Sequence, residues 1–172
     1  RDSAFLYGQQ ADPIAMNETE FLTPEGFKKL EDELEFLKTK RRADVAQRLH
    51  EAMEEGETEE NPEYEDAKNE QAFVEGRILT IETILGNAKL IEMKGPSNEV
   101  RLGSKLTITE VGTSDKEHYT LVGSAEADPK HGKISNESPM GKALLGRKLH
   151  EVVSVTTPSG LMKFKIVHIS NK

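Results

Sequence analysis

From Phe27 to Ala88 the apolar residues recur at helical intervals, and from Lys105 onward they alternate. In the first stretch Phe27, Leu30, Leu34 and Leu37 follow in steps of 3, 4 and 3, which lines them up on one face of an α-helix. Thr23-Pro24-Glu25 opens that helix. Threonine caps a first turn, proline fits its first position, and glutamate suits its positive end. The stripe resumes at Val45, Leu49 and Ala52, after a basic run of Lys38, Lys40, Arg41 and Arg42. The gap from Leu37 to Val45 is two steps of 4, a local shift of heptad phase. Asn61-Pro62 announces a second helix. Its seam of Ala67, Gln71, Val74, Ile78, Ile81, Leu85 and Ala88 steps 4, 3, 4, 3, 4, 3, the repeat of a coiled coil.

Two such stripes joined by a short polar turn predict an antiparallel hairpin. Its arms, at roughly 30 residues each, would be about 45 Å long. Two helices have little core beyond their seam, so the hairpin reads as a projecting device. Gly86 and Asn87 loosen its end, and Gly95-Pro96-Ser97-Asn98 reads as a linker. Beyond it, KLTITEV, HYTLVGS, VVSVTTP and MKFKIVHI read as strands from their alternation and β-branched content. Ser138-Pro139 can start a short helix and Gly146 can end it. Pro158-Ser159-Gly160 should turn the last two strands into a hairpin.

The expected class is therefore α+β: an antiparallel coiled-coil hairpin over residues 16–94, then a small, mostly antiparallel sheet domain over 95–172. Residues 1–15 show no sustained periodicity and are set aside as a native extension or an expression-derived addition.

Charge sharpens the division. The formal net charge is −8, with the acidic excess in residues 17–94 and a mildly basic balance in 95–172. The overall sign argues against simple attraction to a nucleic-acid backbone. There are no cysteines, which removes disulfides, thiol catalysis and thiolate metal sites. Neither a membrane-length apolar run nor a signal-type N-terminus is visible. The expectation is a cytoplasmic protein.

Candidate chemistry concentrates in EEGETEENPEYEDA, Glu54 to Ala67, at the tip of the expected hairpin. Acids at the start of a helix are ordinarily a solvated, dipole-compensating feature. Here a stalk would hold them far from the rest of the protein. Carboxylate oxygens are hard ligands for Mg²⁺, which commonly takes one or two protein carboxylates and keeps its waters. Such a tip would bind Mg²⁺ weakly alone but could complete the shell of an ion held elsewhere. Arg41 and Arg42, with Lys38 and Lys40, form a basic collar. It is either a solvated face or a contact for an acidic wall on a partner. Tyr64 reads as a packing residue that braces the tip. The histidines, His50, His118, His131, His150 and His168, lack metal-ligand spacing, and no phosphate loop, nucleophile elbow or zinc motif is present.

The stretches LTPEGFKKLEDELEFLKTKRR, EGETEENPEYEDAKNEQAFVEGRI and EADPKHGKISNESPMGKALLGRKLHEVV, the last followed by TPSG, resemble the bacterial transcript cleavage factors of the GreA/GreB family. The resemblance runs from about Met16 to the end. It implies a coiled-coil hairpin with an FKBP-like C-terminal domain. It also implies that the hairpin enters the secondary channel of RNA polymerase, where an acidic pair stabilises a shared Mg²⁺ and a water. The polymerase then cleaves the 3′ end of backtracked nascent RNA. By position the pair falls on Glu57 and Glu60, with Asn61 and Tyr64 as tip support. Lys68 takes a basic position facing RNA or polymerase. Asp128, Ser138 and Pro139 fall on the motif that docks at the channel rim.

Two positions depart from the family pattern. Its tip reads Asp-x-x-Glu with a basic residue before the Glu, whereas this chain has Glu57-Thr58-Glu59-Glu60. Met53 stands where many relatives are basic. Two other readings stay open. One is a channel-binding paralogue that inhibits the polymerase. The other is a prolyl isomerase, against which the sparse aromatics of 95–172, Tyr119 and Phe164, argue. A seam consumed within one hairpin favours a monomer.

Overall fold

The computed structural model describes residues 18–55, 61–92, 95 and 97–171. The N-terminal module is a helical hairpin. Its outgoing arm is α1 (Pro24–Phe36), a π-helical turn (Leu37–Arg41) and α2 (Arg42–Glu55). Thr23 caps α1, its hydroxyl oxygen accepting the Gly26 N–H at 3.0 Å. The π-turn explains the eight-residue gap in the stripe. At about 100° per residue, eight α-helical steps would carry Val45 about 80° off the seam. A π-turn absorbs one residue, so Leu37 and Val45 both face inward and are 8% and 2% exposed.

The returning arm is α3 (Pro62–Gly86), of 25 residues, hence about 37 Å long. It is shorter than the pattern predicts, because the chain leaves helical geometry at Asn87 and turns into a strand. Val74, Ile78 and Ile81 meet Leu30, Leu37 and Val45 in one apolar cluster that Leu22 closes at the base. Toward the tip the seam narrows to buried Ala52 and Ala67.

At the base β1 (Glu20–Leu22) pairs in parallel with β2 (Ala88–Leu90), Glu20 opposite Ala88 and Leu22 opposite Leu90. The Ile91 N–H extends the pairing to the Leu22 carbonyl at 2.8 Å. The alternation pattern does not reveal this ladder. Three residues are too few to show a period.

The C-terminal module is a five-stranded sheet of β3 (Lys105–Glu110), β4 (Lys116–Val122), β5 (Lys133–Ser135), β6 (Val152–Thr157) and β7 (Gly160–Ser170). Their order is β5-β4-β3-β7-β6, antiparallel except for the β4–β5 pair. Leu106, Ile108, Leu121, Val153, Val155, Phe164 and Ile166 point to one face and form the core with Leu144 of α4 (Pro139–Leu144). Ser138 caps α4, and Gly146 beyond it takes a positive φ of 78°, open to glycine without the steric cost other residues carry. Pro158 and Ser159 turn β6 into β7, Thr157 opposite Gly160.

The modules meet where a 3-10 turn, Ser124–Glu126, packs on β1 and the start of α1.

Candidate functional site at the hairpin tip

Asn61 closes the tip from the α3 side. Its side-chain oxygen accepts the Tyr64 N–H at 3.3 Å, and its amide nitrogen donates to the Ala52 carbonyl at 3.1 Å. One side chain thereby caps α3 and ties it to α2. Buried Ala52 and Ala67 let the two backbones approach closely there, so the stalk tapers. Tyr64 is half-buried, and the Lys68 ammonium lies 5.8 Å from its ring centroid, within cation–π range. Glu51, Glu54, Glu63, Glu65 and Asp66 stand exposed around this neck, as does Met53 at 43%. The expected acidic pair, Glu57 and Glu60, lies outside the described residues.

Arg41 and Arg42, read as either a solvated face or a contact for a partner's acidic wall, are turned onto the other arm. Arg41 and Arg48 both pair with Glu70, and Arg42 forms a two-pronged bond to Glu75 at 2.8 and 2.9 Å. Lys38 pairs with Glu82, and Arg77 reaches Glu33 at 2.6 and 2.9 Å. These pairs flank the seam on both sides. The Arg42 guanidinium holds the Glu75 carboxyl below the usual carboxylate range, chiefly through their hydrogen bond. The collar thus braces the stalk, which its sequence alone could not separate from an outward contact.

Asp128, Ser138 and Pro139 lie at the opposite end of the molecule from Asn61, Tyr64 and Lys68, on either side of β5. Asp128 hydrogen-bonds the His131 ring at 2.5 Å, and that bond lowers its carboxyl pKa. The Ser138 hydroxyl donates to the Ser135 carbonyl at 2.6 Å and accepts the Gly141 N–H at 3.0 Å. It therefore shapes the loop, while Pro139 beside it is exposed. Glu126, which sequence reasoning did not single out, joins the two modules. No motif marks it, because its role depends on a partner 103 positions away. Phe164 is buried and Tyr119 packs against the same core.

A helical hairpin on a small sheet domain, with exposed acids around its free end, is the architecture of this chain. Residues 20–90 match the family model "Transcription elongation factor, N-terminal", and residues 95–171 match "Transcription elongation factor, GreA/GreB, C-term". The chain belongs to the GreA/GreB family of transcription elongation factors. It is 55% identical over 149 residues to transcription elongation factor GreA of Bacillus subtilis (strain 168), covering 87% of this chain and 95% of that protein. With GreA of Thermoanaerobacter pseudethanolicus it shares 50% over 155 residues, 90% of this chain and 99% of that one. Among solved structures, GreA factor homolog 1 (Gfh1) of Thermus thermophilus is 34% identical, covers 89% of this chain and 99% of its own, and gives a TM-score of 0.42.

Proposed function

We propose that this chain stimulates cleavage of backtracked nascent RNA by bacterial RNA polymerase, lending ligands to the polymerase's active centre and having no activity of its own. The observation that carries this reading is the joining of a GreA/GreB match over both modules to a tapered stalk whose free end is acidic. In the proposal the stalk enters the secondary channel and the segment between Glu55 and Asn61 carries Glu57 and Glu60 to the RNA 3′ end. Asn61 pins α3 to α2 beside that segment, and Tyr64 supports the first turn of α3. Lys68 faces RNA or polymerase, and Asp128 and Pro139 dock at the channel rim from either side of β5, Pro139 on the loop that Ser138 shapes.

Hard carboxylate oxygens such as those of Glu57 and Glu60 fit Mg²⁺. That donor set suits an ion shared with the polymerase. Glu57 and Glu60 would help to hold that ion, which when bound would supply Lewis-acid activation of a water and stabilise charge on a leaving oxygen. The protein works in the cytoplasm as a monomer.

The test uses stalled, backtracked elongation complexes of the cognate polymerase with labelled RNA and Mg²⁺. Release of short 3′ fragments is expected, and Glu57→Ala/Glu60→Ala should abolish it while leaving polymerase binding intact. Tight binding with suppressed intrinsic cleavage would instead support the inhibitor reading, which the additional acid Glu59 favours.

A further inference from the structure

One corner of the sheet's outer face is both apolar and cationic. Val153, Val155, Met162, Phe164 and Ile166 turn inward to the core, so the alternate positions of β6 and β7 turn outward. Along β7 these are Leu161, Lys163 and Lys165. Register sets Val152 beside Lys165. Val111, just past β3, stands beside Lys163, its N–H bonded to the Lys163 carbonyl at 2.8 Å. Val111, Val152 and Leu161 are 54%, 52% and 65% exposed. With strands about 4.8 Å apart and outward positions about 6.8 Å apart, the three mark a triangle about 8 to 14 Å on a side around Lys163. Lys116 stands across β3 in the row of Lys165. These three lysines are exposed and form no ion pair among the described residues. Glu151, at the head of β6, is occupied with the Lys148 N–H at 2.6 Å. Neither the hairpin tip nor the residues assigned to the channel rim uses this corner.

We propose that this corner is a docking surface for an acidic amphipathic helix of a third protein. Exposed apolar side chains gathered among charges mark a protein contact, and the three unpaired lysines ask for carboxylates around an apolar stripe. The apolar residues stand on β6, on β7 and at the end of β3, so the occupant lies across the face. A strand added at the edge of β6 would touch Val152 alone. The long side of the triangle matches about nine helical residues, enough for a stripe at i, i+3, i+4 and i+7. A second copy of this chain fits less well. Its exposed helical apolar residues, Phe73 and Leu79, lie on α3, where Glu75 and Glu82 are already paired with Arg42 and Lys38. The choice of a third protein over the polymerase rests on the rim docking proposed above. Asp128 and Pro139 flank β5, and β5 and β6 are opposite edges of the sheet, four strand spacings or about 19 Å apart.

The test measures binding of the whole chain, without polymerase, to a fluorescent, helix-stapled peptide of about 14 residues. The peptide carries leucines at i, i+3, i+4 and i+7 and glutamates on its other faces. A scrambled peptide of the same composition is the comparison. The ordered peptide should bind at least about tenfold more tightly than the scrambled one, because only it presents a stripe. Val111→Thr/Val152→Thr/Leu161→Thr should weaken binding at least about fivefold and keep its salt dependence. Lys116→Gln/Lys163→Gln/Lys165→Gln should weaken it about tenfold at low salt and remove most of that dependence. A Phe73→Ser/Leu79→Ser control on the hairpin should bind like the parent, and all four proteins should melt alike. Absent binding, equal binding of the two peptides, or unchanged binding by the Thr variant overturns the proposal. So does tighter binding to phosphatidylglycerol vesicles than to the peptide, or self-association that the Gln variant abolishes. Both surface variants should support RNA cleavage as the parent does. Cleavage lost in them but not in the parent puts the polymerase on this face and overturns the third protein. Because the peptide assay holds no polymerase, its failure is separable from failure of the cleavage reading.

Discussion

Thr23 and Glu126 are joined by two hydrogen bonds: the Glu126 carboxylate accepts the Thr23 backbone N–H at 2.6 Å and the Thr23 hydroxyl at 2.7 Å. The residue that caps the hairpin's first helix is thus itself held by the other module. Glycines make the approach possible. A Cβ on Gly26 would lie 2.0 Å from a Glu126 carboxylate oxygen, and one on Gly123 would lie 2.0 Å from the Phe21 carbonyl oxygen. Glu126→Ala should cost about 1–3 kcal/mol, because the part-buried Thr23 N–H loses its acceptor. That corresponds to a melting-point drop of about 2–4 °C per kcal/mol for a chain of this size. Small-angle scattering should show a wider spread of angles between hairpin and sheet domain. Gly123→Ala should do more damage, since its obstacle is backbone. A variant Glu126→Ala that melts and scatters like the parent would remove this joint from the account.

The π-turn at Leu37–Arg41 makes a prediction about chain length. Deleting Thr39 alone should let the arm run as a continuous α-helix with Leu37 and Val45 seven apart, still on the seam. Its melting temperature should stay within a few degrees of the parent's, a span of about 1 kcal/mol. Deleting Lys38 and Thr39 together rotates every later residue by about 100° and should cost several kcal/mol as seam residues meet water. Circular-dichroism melts of the two deletions decide it. Equal damage from both would contradict the phase argument.

Glu70 is the most enclosed carboxylate of the collar, its side chain 16% exposed and shared by Arg41 and Arg48. Glu70→Ala leaves two guanidinium groups side by side without their counter-charge and should cost about 1–3 kcal/mol. Glu75 is half exposed and serves Arg42 alone, so Glu75→Ala should cost about 1 kcal/mol or less. Denaturant unfolding of both variants, with the Arg42→Ala cycle, tests the ranking.

Near the base, burial pushes the Glu20 carboxyl above the usual range, and the charges of Glu137 and Glu18 add to the push. A folded carboxyl that holds its proton more tightly than the unfolded one favours folding at low pH. Stability is then lost as pH rises from about 4.5, the ordinary value, through the raised one. Glu20→Gln should flatten this part of the stability–pH curve and match or exceed the parent at pH 7. The measurement is thermal melting of both proteins across mildly acidic to neutral pH. A steeper curve in the variant would reverse the assigned sign.

How much of this was legible in the chain depended on range. The hairpin arms are written in local periodicity and in the caps Thr23 and Asn61, and the eight-residue gap already marked the place where the π-turn sits. The main strands show in their alternation, with β4 starting at Lys116 rather than His118. Strands β1, β2 and β5, of three residues each, are too short to carry a period. The Thr23–Glu126 joint depends on contact between distant segments, which no window along the chain contains. At the tip, sequence singled out Asn61 by its capping position and Tyr64 by its place one turn beyond the acids. For Arg41 and Arg42 two readings stayed open, because a helix face does not announce which acids it will find opposite.

The short parallel ladder at the base has a mechanical consequence. The outgoing arm leaves from its Leu22–Leu90 end and the returning arm arrives at its Glu20–Ala88 end, so the entire stalk is the crossover between two adjacent strands. Two residue steps along a strand span about 7 Å, close to the 8–10 Å that separates packed helix axes. The ladder therefore acts as a spacer bar of the right length laid across the foot of the stalk. Prising the arms apart would drag its strands lengthwise and strain all its bonds together, whereas a hairpin clasped at one end would open bond by bond. A thrust on the tip meets a foundation loaded in shear.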